Sequence, residues 1–271
     1  MPRLSAGLLA VLLAAPVFAQ REHGFDNRKG SGQPYLKPQE TVDKFKVAPE
    51  FEVKLFAGEP DVVNPIAFTI DEKGRVWVVE CYEYPSKTPK GKAPRDRIII
   101  LEDTDGDGVC DKKTIFAQGK DFPVPEERKK AGLGAFDMAS GIEVGHGGVY
   151  VGAPPYLWFI ENKDDKPGKF ETVLKGFGSQ DTHETLNTFQ WGPDGWLYGL
   201  HGIFTQSTVK PLDGPETRMN AAVWRFHPKT KKFEIFSEGT SNPWGMDWRN
   251  TDGQFILACC VIPHLYHMVP G

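Results

Sequence analysis

The sequence predicts an all-β chain folded as a β-propeller of about four blades, on three observations. A hairpin phrase recurs four times, each copy is followed by a second and more charged hairpin, and the 271 residues carry 29 Gly and 22 Pro, which suits many short strands and turns. The composition is that of a globular protein, 39% hydrophobic and 25% charged. The formal net charge of −4, with no basic stripe, argues against a nucleic-acid surface.

Residues 1–19 read as a signal peptide. Arg3 supplies a positive start, Leu8 to Leu13 an apolar stretch, and Val17 and Ala19 occupy the −3 and −1 places of a cleavage site before Gln20. The expected location is therefore secreted or periplasmic, with membrane association only through this segment or through regions outside the sequence. Residues 20–40 are polar and rich in Gly, Pro and charge, and read as a flexible linker. The propeller domain is expected over 41–271.

The four inner hairpins are Ile66-Ala67-Phe68 to Gly74-Arg75-Val76-Trp77-Val78-Val79, then Ser140-Gly141-Ile142-Glu143-Val144 to Gly148-Val149-Tyr150-Val151. The third is Asn187-Thr188-Phe189-Gln190-Trp191 to Trp196-Leu197-Tyr198-Gly199, and the fourth Trp244-Gly245-Met246-Asp247-Trp248 to Phe255-Ile256-Leu257. Apolar positions alternate on either side of a Gly-containing turn, the mark of a β-hairpin. The outer hairpins are Arg97 to Leu101 with Thr114 to Phe116, Leu157 to Ile160 with Phe170 to Leu174, and Ala222 to Phe226 with Phe233 to Phe236. Two hairpins make one four-stranded unit, and the units recur roughly every 45–75 residues, near or above a propeller blade. A β-sandwich of unrelated hairpins is the alternative, but sandwiches seldom repeat one turn phrase. Trp77, Trp191, Trp196, Trp224, Trp244 and Trp248 fall on strand positions and read as packing between blades rather than as a sugar platform. Four blades close a ring poorly, and the sequence stops at Val269-Pro270-Gly271 just after a strand. The expectation is a propeller incomplete at its C-terminus, cut from a ring of six or seven blades.

The four cysteines, Cys81, Cys110, Cys259 and Cys260, form no CxxC or CxxCH pair, which argues against a zinc ribbon or haem attachment within this stretch. Cys259-Cys260 are either a vicinal disulfide or two residues of a buried strand. The mixed run Glu126 to Lys130 reads as a solvated turn or short helix.

Chemistry concentrates before the third inner strand, in Ser179-Gln180-Asp181-Thr182-His183-Glu184-Thr185. A polar loop at that position aims side chains at the mouth of the central channel, where His183 is either a general base or a hydrogen-bonded loop residue. A second cluster, Asp103-Thr104-Asp105-Gly106-Asp107-Gly108 with Asp111, starts like an EF-hand loop but has Thr114 where the final Glu belongs. It is either a short Ca²⁺ loop or an unliganded Asx/Gly turn. His264, His267 and His201 are candidates for the channel or for structural networks, and His146 lies in a surface turn.

The phrase Asp181-Thr182-His183, Leu186, then Gly192-Pro193-Asp194-Gly195-Trp196-Leu197-Tyr198 resembles a segment of the soluble PQQ-dependent glucose and sorbosone dehydrogenases. Those are six-bladed propellers, and the resemblance implies a PQQ cofactor with His183 as the base that takes the substrate's hydroxyl proton. Asn242-Pro243 and Gly245 are similar to that family's cofactor phrase, which implies a cofactor contact for Asn242. Thr240-Ser241 stand where the family has His-Arg, although Arg suits the three carboxylates of PQQ. Phe51 to Ala57, Asp103 to Gly108 and Cys260 to His267 resemble the large secreted proteins of planctomycetes called membrane-bound dehydrogenases. That resemblance implies later helical repeats and a cytochrome c domain, the only place for a haem c.

The reading is an exported quinoprotein-type oxidoreductase module acting on a sugar-like or other alcohol. His183 is the base, Asn242 a cofactor contact, and Asp103, Asp105, Asp107 and Asp111 ligands of a structural Ca²⁺. Its partners would be a small-molecule substrate, carbohydrate among the candidates, and an electron acceptor such as a cytochrome c. The alternatives are a non-catalytic scaffold for carbohydrate or protein, and a Ca²⁺-dependent lactone hydrolase.

Overall fold

The computed structural model describes residues 36–262 and 265–271. The signal segment, most of the linker and His264 lie outside the described residues. The end of the stretch read as linker is ordered, with a short helix α1 at Pro38–Val42. The run at Glu126 forms helix α2, Glu126–Ala131, ended by Gly132 at φ 69. No helix among the described residues is long and apolar enough to cross a membrane.

The strands form four blades. Blade 1 is β1 (Pro65–Ile70), β2 (Val76–Glu80), β3 (Arg97–Glu102) and β4 (Lys112–Gln118) in that order. Blade 2 contains β5 (Gly141–Gly145), β6 (Gly148–Ala153), β7 (Tyr156–Lys163) and β8 (Lys166–Lys175). Blade 3 is β9 (Leu186–Trp191), β10 (Leu197–His201), β13 (Ala222–Phe226) and β14 (Phe233–Glu238). Blade 4 is β15 (Pro243–Trp248), β16 (Phe255–Cys259) and β17 (Leu265–His267). The four inner hairpins and three outer hairpins expected from the alternation all form, pairing antiparallel throughout. The inner strands β1, β5, β9 and β15 lie side by side in chain order.

One element departs from the simple repeat. Between β10 and β13 the chain makes a further hairpin, β11 (Ser207–Pro211) with β12 (Thr217–Met219), and β11 pairs not with blade 3 but with β8 of blade 2 through Lys210 and Lys175. Blade 2 thereby becomes a six-stranded sheet. The insertion covers the outer edge of β8 and so stitches two blades together with backbone hydrogen bonds.

The cores sit between blades, which is why the strands read as apolar runs rather than half-polar ones. On β3, Ile98 and Ile100 face blade 2, packing with Val149, Val151, Trp158 and Ile160, while Ile99 and Leu101 face the other way and are covered by Phe56, Ala57 and Val62. Leu157 and Leu174 of blade 2 meet Leu197, Trp224 and Phe226 of blade 3. Tyr198, Leu200 and Val223 meet Met246, Phe255 and Leu257 of blade 4. Gly199 makes room for the Trp224 indole: a Cβ there would lie 2.0 Å from its ring. The Trp reading holds for Trp77, Trp191, Trp196, Trp224 and Trp248, all in these cores or packed against them.

Polar contacts bridge the blades as well. Arg75 donates to Asp71 at 2.8 Å and reaches across to Asp165 in the β7–β8 turn at 2.6 Å. Burial pushes the Asp71 carboxyl up, but Trp77 Nε1, the Arg75 side chain and backbone amides outweigh it and hold the group below its ordinary value.

Candidate functional site

Antiparallel pairing sorts the loops onto two rims. The β2–β3, β8–β9, β10–β11, β14–β15 and β16–β17 connections lie on one rim, and the hairpin turns within each strand pair lie on the other. The polar loop before β9 and Asn242 are therefore on the same rim, while the Asp103 cluster, between β3 and β4, is on the opposite one. The structure brings the expected base and the expected cofactor contact together and separates both from the expected metal loop.

The loop 176–185 is held by the segment after β10. Asp181 N–H donates to Thr205 Oγ1 at 3.2 Å, Gly202 N–H donates to Glu184 O at 3.3 Å, and Gly178 N–H donates to Ser207 Oγ at 2.8 Å. Ser207 Oγ lies 2.6 Å from His201 Nε2, and His201 Nδ1 lies 2.9 Å from Gly202 O. Burial drives the His201 pKa down to about 4, so the ring is neutral, donating from Nδ1 and accepting at Nε2. His201 is thus a fully satisfied anchor buried under the loop rather than a channel-facing group, which corrects the channel role entertained for it.

His183 stands at the exposed edge of this loop, its Nδ1 3.2 Å from Asp181 Oδ1 and its ring edge-on to Tyr84 with centroids 5.5 Å apart. The Asp181 contact engages Nδ1 and leaves Nε2 free of it. The next residue, Glu184, is only 2% exposed. One carboxyl oxygen, Oε1, receives the Trp244 indole N–H and the Cys260 thiol, the latter at 3.2 Å. The other, Oε2, is buried with no hydrogen-bond partner among the described residues. Burial raises the Glu184 pKa to about 7; the donors Cys260 and Trp244 lower it and the Asp181 charge adds to the rise. Burial and the same carboxyl push the Cys260 thiol up to about 11.

Further buried polar atoms toward the same rim lack partners among the described residues: Asn187 Nδ2 at the start of β9, and Ser237 Oγ and Thr240 Oγ1 at and after the end of β14. Asn187 is tied to the same group through Thr188, whose Oγ1 donates to Asn187 Oδ1 at 2.9 Å and also lies 3.4 Å from Trp244 O. Thr188 sits at φ 46 where the β9–β10 register slips, a bulge that re-aims the inner strand at the rim. Asn242 is 5% exposed, and its Oδ1 accepts the Ile203 N–H at 3.2 Å.

Several expectations change here. Trp244 is outside the interblade cores and belongs to this site, because its indole N–H is spent on Glu184. Cys259 and Cys260 are free thiols rather than a vicinal disulfide; Cys259 is half-buried at the end of β16 and Cys260 is exposed just past it, so the buried-strand reading also fails. On the opposite rim, Asp103, Asp105 and Asp107 bring one oxygen each within 4.8 Å of one another. Asp111 does not join them, since its two oxygens accept the Thr104 N–H at 3.1 Å and the Thr104 hydroxyl at 2.6 Å. Asp103 also serves the turn, accepting amides of Gly108, Gly106 and Asp107, which hold its pKa below the ordinary value. Glu184 and Asp181 stood in the quoted loop without being singled out; a carboxylate directly before the apolar start of β9 was the available signal. Tyr84 and Cys260 carried none.

The residues gathered around His183 suit hydroxyl groups better than a polyanion. The charged side chains of the loop are the carboxyls Asp181 and Glu184, Thr240-Ser241 supply no cation, and Lys87 is bonded to Ser179 Oγ at 2.9 Å. The three carboxylates of PQQ find no Arg fork in this set, so the residues present do not fit that cofactor.

Among solved structures, the fold is similar to a Thermus thermophilus protein described as "putative oxidoreductase (glucose dehydrogenase)", with TM-score 0.50 and 16% identity over 78% of this chain and 63% of that one. It is also similar to the holo form of the pyranose dehydrogenase PQQ domain from Coprinopsis cinerea, with TM-score 0.52 and 14% identity over 78% of this chain and 47% of that one. The chain spans less than two thirds of either protein, and at these identities the likeness establishes the propeller fold alone. No curated protein matches the sequence. The family model that does match is a domain of unknown function, DUF7133, aligned over residues 37–260, and the chain belongs to the DUF7133 family.

Proposed function

We propose that this chain is an exported oxidoreductase-type propeller that takes a sugar-like or other alcohol at the rim around His183. The observation that carries the reading is the His183–Asp181 contact at 3.2 Å on an exposed loop edge, next to the buried Glu184. Asp181 would hold the Nδ1–H tautomer, leaving Nε2 to remove the substrate's hydroxyl proton. Oxidation of the carbinol carbon then requires that a hydride leave to an acceptor of the quinone class, with the proton remaining on His183. The contact that the resemblance implies for PQQ, Asn242, is buried with its Oδ1 held by the Ile203 N–H. The acidic set around His183 offers the carboxylates of PQQ no partner, so no step is drawn through that cofactor. Asp103, Asp105 and Asp107 would hold a structural Ca²⁺ on the far rim. Electrons would pass on to an acceptor such as a cytochrome c.

The second reading is a propeller that binds carbohydrate without turning it over. The carboxyls Asp181 and Glu184 of the loop and the Thr240-Ser241 pair favour it. A dye-linked assay over a panel of aldoses and polyols, run with and without added PQQ and Ca²⁺, separates the two. Turnover that needs the added quinone supports the oxidoreductase; binding of sugars with no turnover in any combination supports the scaffold.

A further inference from the structure

Beside His183, the buried Glu184 leaves one carboxyl oxygen without a partner among the described residues. Burying a polar atom without a partner costs about 1–3 kcal/mol each, and native structures leave few such atoms without reason. Glu184 Oε2 and Asn187 Nδ2 are linked through Trp244 and Thr188, and Thr240 Oγ1 lies in the β14–β15 connection of the same rim. Their chemistry is mixed: a carboxyl oxygen, an amide donor, and a hydroxyl that does both. A hydroxylated ligand donates and accepts through each OH and matches this mixture of groups. A ligand that also carries a carboxylate or phosphate meets the carboxyls of Glu184 and Asp181 as well; Thr240-Ser241 supply no cation, and the one cation bonded to this loop among the described residues, Lys87, is held at Ser179, four residues before His183.

We propose that Glu184 is the specificity-determining residue of this rim, admitting uncharged polyhydroxylated ligands and excluding sugar acids and sugar phosphates. The inference rests on the reading of the rim as a carbohydrate site and holds whether or not that site turns its ligand over. Its buried, partnerless Oε2 supplies the contact to a neutral hydroxyl, and its charge supplies the rejection.

Among the described residues, the groups facing Glu184 are few. From its own loop comes Asp181, from the β2–β3 loop Tyr84, and from the end of β16 Cys260 and Trp244 of the adjoining strand; Gly202 packs on its Cβ without charge. Burial raises Tyr84, and Cys260 is raised to about 11, so neither changes charge near neutrality. Glu184 is the carboxyl that burial carries into the neutral range.

The test is calorimetric binding of glucose and sorbitol against glucuronate and glucose 6-phosphate, in a His183→Asn background that removes the imidazole. The preference for the neutral ligands should widen about tenfold from about pH 6 to about pH 8, as Glu184 ionises. In Glu184→Gln, which keeps the acceptor for Trp244, the preference should be smaller and independent of pH. Equal binding of neutral and anionic ligands, or an unchanged pH response in Glu184→Gln, overturns the role of Glu184 while leaving the carbohydrate reading intact. Failure of every neutral sugar and polyol to bind overturns both. Thermal melting of each variant checks that the rim remains folded.

Discussion

His183 Nδ1 and the His183 backbone N–H converge on a single oxygen, Asp181 Oδ1, at 3.2 and 2.9 Å. This double contact fixes both the tautomer and the direction of the ring on an otherwise exposed loop. The second ring nitrogen is thereby left for a ligand, as a general base requires. If His183 is the base, His183→Ala lowers dye-linked turnover by about 10²–10⁴-fold. Far-UV circular dichroism and melting temperature stay unchanged, because the exposed ring contributes little packing. Asp181→Asn gives a smaller loss, read in kcat more than in KM. Unaltered turnover in His183→Ala removes the assignment.

The Asp71–Arg75–Asp165 bridge joins blades 1 and 2 from opposite sides of their interface. Arg75 and Asp71 have side chains only 7% and 4% exposed, so removing Asp71 leaves a buried guanidinium short of one partner and the Trp77 indole N–H without its acceptor. Asp71→Ala should cost about 3 kcal/mol in denaturant unfolding. Asp165→Ala should cost less, about 1 kcal/mol, because its side chain is 29% exposed and water replaces part of the contact. Both carboxyls are held below their ordinary values, so their contribution is present above the unfolded carboxylate range and lost as pH falls through the folded values.

Three other carboxyls act with the opposite sign. Burial raises Glu143 and Glu184 to about 7 and Asp96 to about 6. Each binds its proton more tightly folded than unfolded, so stability decreases as pH rises from the ordinary carboxylate range to about 7 and levels off above it. Glu143→Gln keeps an acceptor for Thr69 Oγ1, which bonds Glu143 across the blade 1–blade 2 boundary at 2.9 Å. That variant should flatten the pH profile by on the order of 1–2 kcal/mol, measured as unfolding free energy from about pH 5 to about pH 8. A profile as steep as that of the parent protein would show that Glu143 stays ionised.

If the Asp103 loop holds Ca²⁺, millimolar calcium raises the melting temperature and a chelator reverses the rise, by a few degrees for about 1 kcal/mol. Asp105→Asn with Asp107→Asn abolishes the response. Asp111→Asn leaves it in place, because Asp111 serves Thr104 and not the carboxyl cluster. A response lost equally in the Asp111 variant would return that residue to the ligand set.

The blades were legible because their signals are local. Alternation in Arg97 to Leu101, with Ile98 and Ile100 facing one core and Ile99 and Leu101 another, needs only a pleated strand with two buried faces. The Asp and Gly of the turns act within a few residues, as at Asp194-Gly195. The site was legible in part. His183 stood out by its neighbours in sequence, whereas Trp244 read as one more packing indole and Cys260 as a strand residue, although both meet Glu184 from 60 and 76 residues away.

By itself the sequence determined the strands, their pairing within hairpins and the loop that carries His183, since each follows from side chains within reach of a single turn. Tertiary structure alone decided that β11 leaves blade 3 to pair with β8, that Asp111 caps Thr104 instead of joining the carboxyl cluster, and that Glu184 is buried with one oxygen unmet. Each of those depends on which of several competing partners arrives once the blades are packed, and on the water excluded when they do. No periodicity in the chain encodes that competition.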